Sequence, residues 1–329
     1  MTVMVTGCAG FIGSEVCHTL LDQGESVVGI DNLNEAYDVR LKLWRLSRLG
    51  ARDHFSFHER DISDYDSLKS LFLLGEKSSR PPFTSVINLA ARAGVRSSLL
   101  DPWSYYKDNT IGTLNILELC KDFDVHKMVL SSTSSAYGEG IQRPFTEDSN
   151  TSKPLSPYAA SKMAAEELAY TYHYLYGIDS TIFRYFTVYG PAGRPDMSIF
   201  IFIRSIVEGL PLTVFGDGSQ ERDFTFVTDI AKGTAAATAS TGYEIINLGN
   251  DNPTVLSDVI EMIEKMTEKE ARIEYEPTHK ADVKATWANI SRAKALLDWT
   301  PQVSLEEGLQ KTVDWYMENR AWAKSLNAE

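Results

Sequence analysis

Along the first two-thirds of the chain, short apolar runs alternate with longer stretches whose apolar residues recur every three to four positions. Six runs read as strands: Val3 to Thr6, Ser26 to Ile30, Phe55 to His58, Ser85 to Leu89, Lys127 to Ser131 and Thr181 to Tyr185. Most are apolar without interruption, as strands buried on both faces must be. Between them the helical period predicts helices at about Phe11 to Gln23, Tyr65 to Leu74, Ser104 to Phe123 and Tyr158 to Tyr176. This alternation predicts an α/β fold, a Rossmann-type doubly wound parallel sheet covered by helices on both faces. After about Arg184 the rhythm changes to loops rich in Gly and Pro, with helices near Ile199 to Glu208, Val255 to Met266 and Leu305 to Asn319. The expected division is a first domain over residues 1–183, to which a segment near 222–248 returns, and a smaller α/β lobe, mainly 184–329.

Composition narrows the function. With 32 basic against 45 acidic residues the net charge is −13, which disfavours a generic grip on nucleic acid or an anionic membrane. Cys8, Cys17 and Cys120 are odd in number and widely spaced, so neither a disulfide framework nor a metal site is expected. No run reaches the length of a membrane span, and the chain begins directly with its first strand. A cytoplasmic protein is the expectation.

Directly after the first strand stands Gly7-Cys8-Ala9-Gly10-Phe11-Ile12-Gly13, opening into a helix. Gly7 permits the tight turn, Gly10 lets backbone N–H groups approach a pyrophosphate, and Gly13 lets helix and strand pack closely. The second strand ends at Asp31, where a carboxylate would accept from both ribose hydroxyls and repel a 2′-phosphate. That constellation predicts NAD rather than NADP.

Tyr158 and Lys162, in Ser156-Pro157-Tyr158-Ala159-Ala160-Ser161-Lys162, lie one helical turn apart on one face. A phenol of pKa about 10 is a poor base at neutral pH. Lowering it by about three units needs about 4 kcal/mol of preferential phenolate stabilisation, to which a neighbouring ammonium contributes. The same spacing is common on surface helices. What distinguishes this pair is Ser131-Ser132-Thr133-Ser134-Ser135, a hydroxyl cluster directly after a buried strand, where open α/β sheets bind ligands.

Together these features resemble the extended short-chain dehydrogenases/reductases, the nucleotide-sugar epimerase and dehydratase group, over essentially the full length. The resemblance rests on the glycine turn, Asp31, Asp61-Ile62, Asn88-Leu89-Ala90-Ala91, Thr133, Tyr158 with Lys162, Arg222-Asp223-Phe224 and Asp298-Trp299-x-Pro301. It implies a tightly held NAD against Gly7, Gly10, Phe11, Ile12, Gly13, Asp31, Asn32, Asn34, Asp61, Ile62, Leu89, Ala90, Ala91, Asn109, Ser131, Tyr158, Lys162 and Tyr185. It also implies Tyr158 as base, Lys162 orienting the nicotinamide ribose and assisting Tyr158, and Thr133 bonding the reacting hydroxyl. A homodimer built on the helices near Ser104 to Phe123 and Tyr158 to Tyr176 is implied as well.

Dehydratases of this group usually carry Thr-Asp-Glu where this chain reads Thr133-Ser134-Ser135, and two hydroxyls cannot replace two carboxyls in proton transfer. UDP-glucuronate decarboxylases typically carry Thr-Ser-Glu there. The segment Arg184 to Met197, with Thr187 and Gly193-Arg194-Pro195-Asp196-Met197, is instead similar to the UDP-glucuronate 4-epimerases, as are Asp31 to Asn34, Tyr37 to Arg40 and Ala93-Gly94-Val95-Arg96. By that similarity Thr133, Ser134, Ser135 and Thr187 surround a sugar carboxylate, and Arg96, Tyr158, Arg194, Val214, Arg222 and Asp282 complete the UDP-sugar site. Where relatives often have an arginine three residues before the aspartate, this chain has His279, then Lys280. Neither reproduces a guanidinium fork. The expected reaction is epimerisation at C4 of UDP-glucuronate through a transient 4-keto sugar. Three other readings stay open: a UDP-glucose/UDP-galactose 4-epimerase, a decarboxylase or dehydratase, and a non-catalytic dinucleotide-sensing module.

Overall fold

The computed structural model describes residues 1–75, 82–239, 241–278 and 280–327. The six apolar runs form strands β1 (Thr2–Thr6), β2 (Ser26–Asp31), β3 (Phe55–Glu59), β4 (Ser85–Asn88), β5 (Lys127–Thr133) and β6 (Asp179–Tyr185). Their connections carry helices α1 (Phe11–Asp22), α2 (Val39–Gly50), α3 (Tyr65–Gly75), α4 (Ser97–Leu100), α5 (Pro102–Tyr105), α6 (Gly112–Asp122) and α7 (Pro157–Tyr176). The second half comprises β7 (Thr187–Tyr189), α8 (Ser198–Glu208), β8 (Pro211–Phe215), β9 (Glu221–Phe226), α9 (Val227–Ala236), β10 (Tyr243–Leu248), β11 (Pro253–Val255), α10 (Leu256–Thr267), β12 (Arg272–Glu276), α11 (Ser291–Leu297) and α12 (Leu305–Ala323).

The main sheet has seven strands in the order β3-β2-β1-β4-β5-β6-β10, every pair parallel. The chain runs outward from β1 to β3, then crosses back to β4 and runs the other way. Crossovers therefore diverge between β1 and β4, opening a crevice at the carboxyl ends of the strands. Leu68, Phe72, Ile116 and Ala165 from α3, α6 and α7 bury one face of the sheet, against Met4, Val86 and Met128. Val16, Leu20, Ile230 and Ala293 from α1, α9 and α11 bury the other, against Val5, Ile87 and Val129.

A third core joins α2, α8, α10 and α12 through Leu41, Ile203, Ile260, Val313 and Tyr316. It reaches α2, a helix without an expected counterpart in the sequence. Arg45 of that helix is 2% exposed. It donates to the Ala9 carbonyl (3.0 Å), the Tyr37 hydroxyl (2.8 Å) and the Ala192 carbonyl (2.6 Å), tying the glycine turn to the loop after β7.

The helix expected over Ser104 to Phe123 is instead α5, a π-helical turn (Tyr106–Ile111) and α6. The physical reason lies in Asn109, whose amide is drawn off the helix axis to bond both the N–H and the carbonyl of Arg92 and the Ser161 hydroxyl. A wider turn admits those bonds. Among the described residues no helix is long and apolar enough to cross a membrane.

Asp223 in β9 knots the second half together. Its carboxylate accepts from the N–H of Asn250 (2.6 Å) and of Ala288 (2.8 Å). Burial pushes its pKa up to about 6, outweighing the backbone donors that lower it. Between the ordinary carboxylate value and about 6 the folded protein therefore binds more protons than the unfolded one, so this group's contribution to stability falls as pH rises through that window. Urea unfolding of Asp223→Asn and the parent between pH 4 and 7 should show the parent losing about 2 to 3 kcal/mol relative to the variant across it. Parallel curves would exclude Asp223 as the source.

Candidate active site

The crevice is a cleft of about 430 Å³ lined from both halves of the chain. Its floor is the glycine turn. Gly7 has φ +69°, and a Cβ there would meet the Ala90 backbone nitrogen at 2.7 Å. A Cβ on Gly13 would stand 2.0 Å from the Gly7 carbonyl oxygen. No side chain fits either place, so the amino end of α1 and its free N–H groups lie open to the cleft.

A buried relay fixes the opposite wall. Thr6 donates to Asn88 (2.6 Å), Asn88 donates to Thr113 (3.1 Å), and the Ala90 N–H donates back to Thr6 (3.1 Å). Leu89, Ala90 and Ala91 thus line the cleft above the turn. At the end of β2, Asp31 receives the N–H of Ala9 (3.2 Å) on one oxygen and that of Leu33 (2.9 Å) on the other, which leaves lone pairs for two hydroxyls. Asp61, held below its ordinary carboxylate range by Ser63 and Asn32 despite burial, stands near it on the same wall. The side-chain-free cradle and the ribose-ready carboxylate fit a dinucleotide.

Tyr158 and Lys162 occupy the first turns of α7, a helix started by Pro157 and by the Ser156 hydroxyl accepting the Ala159 N–H (3.2 Å). Lys162 donates to Ser131 (3.2 Å). Burial lowers its pKa to about 8, against an upward pull from Glu166. Burial raises Tyr158, while the Thr133 hydroxyl and the Arg194 charge pull it down. Without ligand, then, Tyr158 is a phenol and Lys162 is poised to lose its proton. A positive charge arriving beside the phenol favours phenolate.

Ser134 and Ser135 lie on a single 3₁₀ turn after β5, where Thr133 caps the turn by accepting the Ser135 N–H (3.1 Å). Together with Thr187 and Arg194 these residues line the cleft beside Tyr158. Arg194 is paired with Asp196 at 2.6 Å and packs over the Tyr37 ring.

Of the expected cofactor residues, all but Asn109 line the cleft. Asn109 is buried behind it, holding Arg92 and Ser161. Arg96, Val214, Arg222 and Asp282 are not in the lining either. Arg96 pairs with Asp282 and packs 3.7 Å over the Phe215 ring, Arg222 donates to the carbonyls of Glu221 (2.8 Å) and Lys284 (3.4 Å), and Val214 is buried in β8. His279 lies outside the described residues, and Lys280 is exposed. Tyr37, from the Tyr37 to Arg40 segment, lines the cleft as well, and so do Lys42 and Asp108, which carried no motif. Lys42, buried on α2, donates to Asn34 (3.0 Å) and stands 3.6 Å from Asp31. Its signal was the amphipathic run of α2 just beyond Asp31 to Asn34.

Residues 3–249 match the NAD dependent epimerase/dehydratase family. The chain is 55% identical to the UDP-glucuronate 4-epimerase of Thermodesulfobacterium geofontis, over 98% of each chain. It superposes on the crystal structure of UDP-glucuronic acid 4-epimerase from Bacillus cereus in complex with UDP-glucuronic acid and NAD with a TM-score of 0.89, at 38% identity, covering 97% of this chain and 100% of that one. The UDP-glucose 4-epimerase of Thermotoga maritima, solved with UDP-glucose, gives 0.88 at 32% identity, with 97% and 100% covered.

Lys42 Nζ stands 3.6 Å from the Asp31 carboxylate, so the two charges can be separated by substitution. In Asp31→Ser the repulsion of a 2′-phosphate disappears while the Lys42 ammonium remains, so preference for NAD over NADP should fall at least ~10-fold. Competitive binding titration checks this; an unchanged ratio would assign the selectivity elsewhere.

Proposed function

The chain belongs to the NAD dependent epimerase/dehydratase family, and from that premise we propose that it interconverts UDP-glucuronate and UDP-galacturonate by inversion at C4. The observation that carries the reading is the cluster of Thr133, Ser134, Ser135 and Thr187 in one cleft with Tyr158 and Lys162. Of the carboxylates lining that cleft, Asp31 and Asp61 stand by the ends of β2 and β3, and Asp108 is tied to Arg92. Hydroxyls, not carboxyls, face the sugar end, which suits holding an acid rather than expelling water.

NAD, when bound, supplies an oxidised nicotinamide that takes the C4 hydrogen with its electron pair and later returns it. Gly7, Gly10 and Gly13 admit its pyrophosphate, and Asp31 accepts from its ribose. Thr133 orients the C4 hydroxyl, Tyr158 takes its proton, and the Lys162 ammonium stabilises the phenolate. The resulting 4-keto sugar turns in the site, held by its UDP, and Tyr158 returns the proton after the opposite face is presented.

A ketone at C4 beside a carboxylate on C5 is a β-keto acid, prone to lose CO₂ when the C5–C6 bond aligns with the carbonyl π system. Hydrogen bonds from Ser134, Ser135 and Thr187 keep that bond out of alignment and the charge on the carboxylate oxygens. The division of labour we assign is NAD to residues 1–183 with the 222–248 return, and nucleotide sugar mainly to 184–329. Arg96, Val214, Arg222 and Asp282 serve the nucleotide end.

The protein acts as a homodimer in the cytoplasm. Leu100 and Trp103 (84% exposed), Tyr106, Ile111, Tyr170 and Tyr174 leave apolar surface on α4, α5, the π-helical turn and α7, which pack on one another. Cys8, Cys17 and Cys120 are free buried thiols, in keeping with a reducing compartment. Trp103→Asp should convert the sedimenting species from dimer to monomer; an unchanged sedimentation coefficient would remove α5 from the interface.

Proton NMR of UDP-glucuronate with the protein and NAD should show UDP-galacturonate approaching a fixed ratio without accumulating NADH. Tyr158→Phe should lose at least ~10³-fold in turnover. A UDP-pentose would mean decarboxylation, and turnover of UDP-glucose alone would mean that the hydroxyl cluster was misread.

A further inference from the structure

Behind the cleft lies a charged pair joined to its lining through Ser132. Glu166, 4% exposed, sits one helical turn beyond Lys162 on α7. Its carboxylate accepts from Arg184 Nε (3.1 Å) and Nη2 (2.7 Å) and from the Ser132 hydroxyl. Arg184, 3% exposed on β6, stacks over the Tyr137 ring at 5.0 Å. Burying such a pair costs several kcal/mol of desolvation per ion, and an apolar pair of the same volume would serve packing at least as well. Successive residues of β5 also grip successive turns of α7: Ser131 holds Lys162, and Ser132 holds Glu166.

We propose that Glu166, held in place by Arg184 and Ser132, is a positioning residue for the epimerisation that keeps Lys162 protonated and seated against Ser131. The inference rests on the reaction assigned above. The charged and titratable groups around Lys162 give this carboxylate its importance. Its own helix offers Tyr158 and Glu166; β6 offers Arg184 and Tyr185; the loop after β7 offers Arg194, itself paired with Asp196; the π-helical turn offers Asp108, paired with Arg92. β5 offers the Ser131 hydroxyl to Lys162, its own Lys127 being paired with Asp179 at the other end of the strand. Glu166, four residues on in α7, is the anion that raises Lys162, and the dry surroundings make its field strong. Burial draws the lysine down to about 8 even with Glu166 pulling up; removing that pull lowers it further, and a neutral amine does not stabilise phenolate.

The test is Glu166→Gln, whose amide keeps the shape and one acceptor for Arg184. The alkaline limb of the kcat profile for UDP-glucuronate should move down by about one pH unit, with a loss of about threefold at pH 7.5 that approaches tenfold above pH 8.5; Glu166→Asp should restore the limb. A second readout needs no substrate. Because the folded-state pKa of Lys162 lies below its unfolded value, the unfolded chain binds more protons in between, and stability rises with pH from about 8 upward. Measured against Lys162→Met in each background, that rise should begin about one unit lower in Glu166→Gln. If Glu166→Gln does not fold, Glu166→Gln/Arg184→Met, which removes the Arg184 repulsion as well as the Glu166 attraction, should show both shifts in the same direction and smaller. Lowered melting temperature with both profiles unmoved would overturn the proposal and leave Glu166 a bolt between α7, β5 and β6. Shifted stability profiles in a protein that leaves UDP-glucuronate unchanged would uphold Glu166 as the guardian of Lys162 and overturn the assigned reaction instead.

Discussion

The architecture turns on one close approach. The amino end of α1 passes so near the end of β1 that a single methyl group on Gly13 would stand 2.0 Å from the Gly7 carbonyl oxygen. Because nothing but hydrogen occupies that space, the helix begins where the strand stops, and its unpaired N–H groups face the mouth of the sheet. The remaining features are arranged around that contact. Asp31 braces the turn through the Ala9 N–H, Ala90 closes over Gly7, and Arg45 holds the Ala9 carbonyl from behind.

A parallel sheet gives this contact its reach. All seven strands point the same way, so Thr6, Asp31, Thr133 and Tyr185 end on one edge. The order reverses between β1 and β4, so helices on the two faces separate there and leave the edge open. Cofactor chemistry and sugar chemistry are thereby brought within one cleft although Gly7 and Thr187 are far apart in sequence. The buried lysine completes the arrangement: α7 lies across β5 and β6, and Tyr158 and Lys162 of its first two turns line the cleft.

Much of this was legible in the sequence because burial on both faces writes itself as unbroken apolar runs. β1 to β6, α1, α3 and α7 were visible for that reason, and the glycine turn, Asp31, Tyr158, Lys162 and the hydroxyl cluster followed from their places on those elements. The second half was less legible. β7, β8, β9, β11 and β12 are three to six residues long, too short for a pattern to stand out, and β9 buries Asp223 and Thr225 beside Phe224 and Phe226, which hides its burial behind polar residues. The π-helical turn leaves no periodic mark, since its cause is the distant Arg92 and Ser161. Lys42 and Arg45 were hidden by chemistry: on a helix rich in basic residues they read as solvated charges, yet both are buried, one toward the cleft and one toward the turn.

Arg45 also bears on how such a protein can be recombined. Its guanidinium joins Ala9, Tyr37 and Ala192, so the phosphate-facing turn and the loop that leads to Arg194 share one anchor. A chimera made by exchanging everything after β6 with a relative would separate that anchor from the loop it was shaped to hold. The natural module for transplanting sugar preference is discontinuous: the second half of the chain together with α2, some 150 residues upstream of the loop it secures.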